Sequence, residues 1–519
     1  MLFLLLALVP ALACHPSARL HASAGLTPTP ALPLTLRARS RLRDGPCPAA
    51  APPLPLPSPL PAGLASALGA VASALDASLD AGAVPGGGVE VSYGGQPLLS
   101  HYAGAADKAS GAPVTPATLF RIASVSKVFP VVLLFQLADA GYVGLDDALS
   151  TQLPFSIVNP FDSAAVTFRQ LASHTAGLAR EAPPGNTTAD VLAALRRQYL
   201  ILPPGAHPSY SNLGFALLGH ALAEGVAPAA ATLPELVQGA ILAPLRLAHT
   251  GYEYTPAVLA ALATGYGPGG APVPFADLGW WFPAGSMYST AGDLNALAQA
   301  LLQQRAGNAT LGLSASRARE LLAPLHWNRD GASLFGTPWE CRASRGHLQL
   351  TKGGNLPGYS ASLALVPDLN LSLAVTWNGG VDEVAWMDAA LGLLLPALDA
   401  ALAAAAPQPA YSPGPSPQDY LGAYAAGASV LTVSMEQGML VWRESAALGV
   451  SFFLEWFRSD AELGDLFRVA FPDSAFTCLL GEMEALRYQL VIFGRDCETG
   501  NVSTSSIPGW VPGAVWERV

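Results

Sequence analysis

The chain has 519 residues, of which 51% are hydrophobic and 12% charged, so it has enough material for several domains and is neither disordered nor fibrous. Its formal net charge of -11 excludes nucleic acid or an anionic membrane as the main partner. Beyond the extreme N-terminus no run of about 18 uncharged apolar residues occurs, which predicts no transmembrane span.

The chain opens on an almost wholly apolar segment ending Ala11-Leu12-Ala13, which reads as a signal peptide over residues 1–13, with a second candidate cleavage site after Ala24. A Pro- and Ala-rich arm over 25–62 follows. The pattern then predicts a helix from Ala62 to Leu79 and a hairpin of Gly88–Tyr93 and Pro97–Ala103, turning at Gly94-Gly95. From 120 to about 330 the pattern is helical with long loops. Strands return at His347–Thr351, Tyr359–Val366 and Leu371–Trp377, and a helix from Val381 to Ala404 closes this part. Strands from both ends of the 63–404 region around a helical block predict a mixed α/β lobe, a helical lobe and a cleft between them. A Pro-rich linker spans 405–418. Strand signals at Leu431–Ser434, Met439–Trp442 and Tyr488–Phe493 make 419–519 a small all-β domain.

Secretion has independent support in the asparagines. Of ten, four (Asn186, Asn308, Asn370 and Asn501) open an N-x-S/T sequon, well above chance, which predicts N-glycosylation. Cys14 lies at the expected cleavage point; a lipobox reading of it survives only if the sequons are accidental. In an oxidising compartment Cys47, Cys341, Cys478 and Cys497 allow three pairings, of which Cys478–Cys497 with Cys47–Cys341 is preferred. No Cys/His spacing suggests a metal site, and no cofactor is expected.

Three segments carry chemistry. In Ser124-Val125-Ser126-Lys127, at the start of an apolar helix, Lys127 projects from the same face as Ser124. An uncharged amine there can take the hydroxyl's proton, provided burial or a second cation lowers its pKa. The chain has only three Lys, at 108, 127 and 352, against 23 Arg. Arginine cannot act as a base, so a Lys at 127 in such a chain points to proton transfer rather than a solvated surface charge. In Tyr210-Ser211-Asn212 the phenol, near ammonium groups, can relay a proton to a leaving group, and the amide can hold Lys127 or a substrate carbonyl. In Lys352-Gly353-Gly354-Asn355 the lysine can bind a substrate carboxylate, and the glycines permit close approach of a ligand. The competing reading of this last segment is a Gly-rich turn with an exposed Lys.

Together these motifs resemble the serine β-lactamase-like family: class C β-lactamases, penicillin-binding D-Ala-D-Ala carboxypeptidases and related esterases. Ser124-x-x-Lys127, Tyr210-x-Asn212 and Lys352-Gly353-Gly354 are similar to its three motifs, supported by 171–178 and 283–290, over about residues 65 to 402. The arm and C-terminal unit resemble extensions of secreted eukaryotic members. The resemblance implies a two-lobed α/β fold with an antiparallel sheet, flanking helices and a helical lobe. It also implies a secreted serine hydrolase that takes a small-molecule or peptide ester or amide through an acyl-enzyme on Ser124. Lys127 and Tyr210 would move protons, and the N–H groups of Ser124 and Asn355 would form the oxyanion hole. A catalytically inactive binding or assembly module on the same fold is the alternative. His174 matches a structural stretch of the family rather than a triad base. Gly353 stands where the family has Thr or Ser, which counts against penicillin-like substrates. Pro130, early in the Ser124 helix, is expected to remove a backbone bond.

Overall fold

The computed structural model describes residues 53–519 with interruptions, the longest at 406–415, 445–450, 471–488 and 508–514. The expected signal peptide and most of the arm, together with Cys14, Cys47, Cys478, Cys497 and Asn308, lie outside the described residues.

The chain enters through helix α1 (Ala62–Asp80), then strands β1 (Gly86–Tyr93) and β2 (Gln96–Asp107), joined at Gly94 and Gly95, both at positive φ. That turn conformation matches the right-handed twist of the strands and strongly favours glycine. Short strands follow at β3 (Ala112–Pro113), β4 (Phe120–Arg121), β5 (Tyr288–Ser289), β6 (His326–Trp327) and β7 (Ser333–Phe335). The sheet is completed by β8 (Glu340–Ser344), β9 (His347–Leu356), β10 (Tyr359–Val366) and β11 (Leu371–Trp377). Nine strands pair antiparallel in the order β3-β2-β1-β11-β10-β9-β8-β7-β6, so the N-terminal hairpin lies against the last strand of the domain. The Asn378 side chain locks this closure: its Oδ1 accepts from Gly86 N–H, and its Nδ2 donates to the carbonyls of Ala105, Ala106 and Thr264.

Every residue of β10 and β11 is buried, which explains their largely apolar runs, interrupted only by small Ser and Thr: both faces of the sheet are covered. On one face α1 and the long C-terminal helix, Glu383–Ala405, pack Leu68, Val71, Leu75, Met387, Leu391 and Leu394 against Val89, Val91, Leu373 and Val375. The other face meets the helical block of 120–330, with Val132, Phe135, Phe215, Leu218, Leu297 and Leu301 in its core. That block contains the short strands β4 and β5, which were not expected there. By length and composition both α1 and Glu383–Ala405 are apolar enough to cross a membrane; here one side of each covers the sheet.

After the linker region, eight strands from Gly422–Ala426 to Val515–Arg518 close into an antiparallel barrel. Aromatic residues Tyr420, Tyr424, Trp442, Phe467, Phe493 and Trp516 pack its core. Closure removes the exposed edges that an open sheet of this size would present.

Among the expected modification sites, Asn186 and Asn501 are exposed. Asn370 occupies the β10–β11 turn at φ 52°, as expected of a turn residue, but its Oδ1 is shielded from solvent. Cys341 is buried on β8, and burial pushes its thiol up to about 12.

Candidate active site

Ser124 lies in a 3₁₀ turn, Ala123–Lys127, with α2 beginning only at Val128 (Val128–Asp139). This corrects the expectation that Ser124 itself starts the α-helix. Pro130 supplies the reason: it has no N–H to give the Ser126 carbonyl, so a regular i→i+4 ladder cannot extend back over the turn. Within α2 it occupies the first turn, where its missing N–H breaks no helix bond. The turn is entered through Ala123 at φ 46°, a left-handed backbone that a residue with a Cβ adopts only when held there. Of the five residues in the turn, Ser124 alone is not fully buried.

Lys127 is fully buried, and its Nζ lies 2.9 Å from Ser124 Oγ, 2.8 Å from Asn212 Oδ1 and 2.6 Å from the Ala284 carbonyl, with the Tyr210 hydroxyl also in hydrogen-bonding reach. An uncharged amine carries two N–H bonds and one lone pair. The two oxygens that can only accept take the two N–H bonds, which leaves the lone pair facing the hydroxyls of Ser124 and Tyr210. Asn212 is oriented for this by Glu181, whose carboxylate oxygens both lie 3.0 Å from Asn212 Nδ2. Burial, aided by the Lys352 ammonium and opposed by Tyr210 and Glu340, brings the Lys127 amine down to about 8.

Tyr210 and Asn212 are placed by the residue between them. Ser211 caps the helix Asn212–Ala221: its Oγ accepts from Gly214 N–H at 2.9 Å and donates to the Ala179 carbonyl at 2.7 Å. The tyrosine ring lies 5.0 Å from Lys127 Nζ and 5.1 Å from Lys352 Nζ. Burial alone would raise its phenol, but Lys352, Lys127 and hydrogen bonds to Ser124 and Lys127 bring it below its ordinary value. On its other side the ring stacks on His174 at 4.2 Å. His174 Nδ1 accepts from Ser211 N–H at 3.0 Å, and its buried Nε2 has no hydrogen-bond partner. Burial, together with Lys127, Lys352 and Arg180, holds this imidazole uncharged. It is a platform under Tyr210 and touches no part of the Ser124–Lys127 pair.

Strand β9 brings the third motif. Lys352 is 1% exposed; its ammonium lies 2.7 Å from Glu340 Oε1 and donates to the Gly353 carbonyl at 2.9 Å. Burial would lower its pKa, but Glu340 and Tyr210 hold it above the ordinary lysine value, so it stays charged. Both glycines make room for the protein's own atoms, where close ligand approach was expected. A Cβ on Gly354 would lie 2.5 Å from the Ile122 carbonyl and 2.7 Å from Ser124 N; one on Gly353 would lie 2.6 Å from Glu383 Oε1. Gly354 therefore sets how closely β9 approaches the serine turn.

These groups open onto a cleft of about 780 Å³ lined by Ser124, Arg180, Asn212, Trp281, Gly285 and Asn355, among others. A cavity of about 810 Å³ on the other side of β9, between β7–β9 and the C-terminal helix, is lined by Glu340 and Gly353 but not by Ser124, Lys127 or Tyr210. The structure thus brings together Ser124, Lys127, Tyr210, Asn212, Lys352, Gly353, Gly354 and Asn355. Sequence reasoning missed Glu181, Glu340, Glu383 and the Ala284 carbonyl. Only Ala284 had a signal, since it falls in the 283–290 stretch already singled out. Among the described residues no group of three or more His, Cys, Asp or Glu could hold a metal ion.

Residues 71–395 match the Beta-lactamase family. A human protein named beta-lactamase-like 1 is 40% identical over 329 residues, covering 60% of this chain and 64% of its own. Beta-lactamase-like protein 2 of Dictyostelium discoideum is 33% identical over 50% of each chain. The chain thus spans about half to just under two thirds of the length of these relatives. Among solved structures, a class C beta-lactamase aligns with TM-score 0.57 at 21% identity, over 64% of this chain and 96% of that one. A D-alanine carboxypeptidase AmpC from Burkholderia cenocepacia aligns with TM-score 0.55 at 23% identity, over 64% and 99%. A protein named SurE aligns with TM-score 0.53 at 24% identity over 88% of this chain and all of its own.

Proposed function

The chain belongs to the beta-lactamase family of serine hydrolases, and from that premise we propose that it cleaves an ester or amide through an acyl-enzyme on Ser124. One observation carries the proposal: a fully buried amine, whose pKa burial lowers, lies 2.9 Å from the serine hydroxyl while Asn212 Oδ1 and the Ala284 carbonyl occupy its N–H bonds.

Ser124 Oγ adds to the carbonyl carbon as its proton passes to the uncharged Lys127 amine. The developing oxyanion faces the N–H groups of Ser124 and Asn355, each such donor worth on the order of 10²–10³ in rate. When the tetrahedral adduct collapses, the leaving oxygen or nitrogen takes the Tyr210 hydroxyl proton, and the phenolate recovers one from the Lys127 ammonium. Lys352, held charged by Glu340, stabilises that transient phenolate. Water then repeats the addition on the acyl-serine, its proton going to the same pair, and Ser124 is regenerated. The apolar N-terminus and the four sequons support a secretory route for this activity, with N-glycans and disulfides. Labelling with a fluorophosphonate tests the proposal. The wild type is expected to gain the label and Ser124→Ala to lose it; labelling undiminished in Ser124→Ala would overturn the assignment.

A further inference from the structure

The third motif offers a substrate carboxylate no unbalanced positive charge. Lys352 faces Glu340 at 2.7 Å, and Arg180, the cation that lines the cleft, sits beside Glu181 with Nε 3.1 Å from Oε1. Glu383 is arranged in the opposite sense. It is the first residue of the C-terminal helix, 8% exposed, and pairs with no cation among the described residues. It accepts a hydrogen bond from Asn355 Nδ2. The Asn355 amide is held this way round by Glu383 itself, since a reversed amide would set its Oδ1 against the carboxylate; as placed, Oδ1 accepts from Ser360 Oγ at 2.6 Å. Its Nδ2 is therefore committed to Glu383 rather than to a ligand. Glu383 Oε1 also fills the space beside Gly353, 2.6 Å from where a Cβ would sit, so a side chain at 353 would have to displace the end of the Glu383 side chain.

From this arrangement we infer that Glu383, admitted by Gly353, is a charge-selecting residue. It excludes substrates that carry a carboxylate near the scissile carbonyl and directs the enzyme to uncharged or amine-bearing esters and amides. The inference rests on the acyl-enzyme reading of Ser124. An acid at a helix N-terminus is stabilising by itself, but that role predicts no effect on the charge of the substrate. A partly desolvated carboxylate one hydrogen bond from a cleft residue repels an anion far more strongly than one in bulk water does.

The test compares p-nitrophenyl butyrate with p-nitrophenyl hemisuccinate, which differ only in a terminal methyl against a carboxylate. In the wild type kcat/KM is expected to be at least tenfold lower for the hemisuccinate. Glu383→Gln, which keeps an acceptor for Asn355 Nδ2, should raise the hemisuccinate-to-butyrate ratio at least fivefold. Raising the ionic strength should narrow the wild-type ratio and leave that of the variant flat. The double variant Glu383→Ala/Gly353→Ser serves as a second construction of the same change and should shift the ratio the same way. A ratio that none of these substitutions moves would overturn the inference. Loss of butyrate turnover in Ser124→Ala tests the underlying hydrolase reading on the neutral ester alone, so either idea can fail without the other.

Discussion

The pH dependence of turnover and its loss in Lys127→Arg follow from the same burial. At pH 7 an amine with a pKa of about 8 is uncharged about one time in ten, against about one in 3,000 at the ordinary 10.5. Burial of Lys127 thus enlarges the population of competent base about 300-fold. On a p-nitrophenyl ester, kcat/KM should rise about tenfold per pH unit up to about pH 8 and then level off. An arginine can still donate to Asn212 Oδ1 and the Ala284 carbonyl, but it cannot give up its proton. Lys127→Arg should therefore fold, with a cost of about 1–3 kcal/mol for the larger side chain, lose about 10²–10⁴ in kcat/KM, and show no inflection near 8. Stability supplies a second check. Because the folded state holds Lys127 below its unfolded pKa, the unfolded chain binds more protons between about pH 8 and 10.5. The penalty of about 3 kcal/mol is thus fully present below pH 8 and is relieved as pH rises through that window. Wild-type turnover in Lys127→Arg, or a flat wild-type profile from pH 6 to 9, would refute this reasoning.

Two further outcomes follow from the geometry. Gly354→Ala should push β9 away from the Ser124 turn and cost on the order of 10² in kcat/KM, with near-native circular dichroism; activity within threefold of wild type would show that the approach is not critical. His347 bridges Asp368 and Asp399, and although burial opposes it, those carboxylates hold its pKa above the ordinary 6.5. Its contribution to stability is then fully present below 6.5 and fades as pH rises through the raised value. Both acids are nearly half exposed, so His347→Gln should lower Tm by roughly 2 °C more at pH 5.5 than at pH 9 in thermal melts.

Much of the fold was legible because its signals are local. The bounds of β10 and β11 follow directly from apolar runs closed by Pro-Asp and Asn-Gly-Gly, and the Gly94-Gly95 turn from its dipeptide. The nucleophile and its base were legible because Lys127 is a lysine in an arginine-using chain. Glu181, Glu340 and Glu383 left no comparable mark: an isolated glutamate reads the same on a surface as beside a buried ammonium. Their partners lie up to 31 residues away in sequence, and only tertiary contact pairs them. The eight-stranded closure of the C-terminal barrel was equally hidden. Its strands carry Glu455, Arg458, Ser459 and Asp465 among the apolar residues, which blurs the period-2 pattern.

The pairing of β1 with β11 has a consequence for biosynthesis. Register such as Val89↔Val375, and the bond from Gly86 N–H to Asn378, join segments that leave the ribosome almost three hundred residues apart. The nucleophile emerges early, yet the strand that completes its pocket cannot be anchored until Asn378 has been translated. A nascent or prematurely terminated chain ending before that point can carry Ser124, Lys127 and Lys352 but lacks the Asn378 bonds that tie the N-terminal hairpin to the rest of the sheet, so folding of the domain must wait for distant contacts.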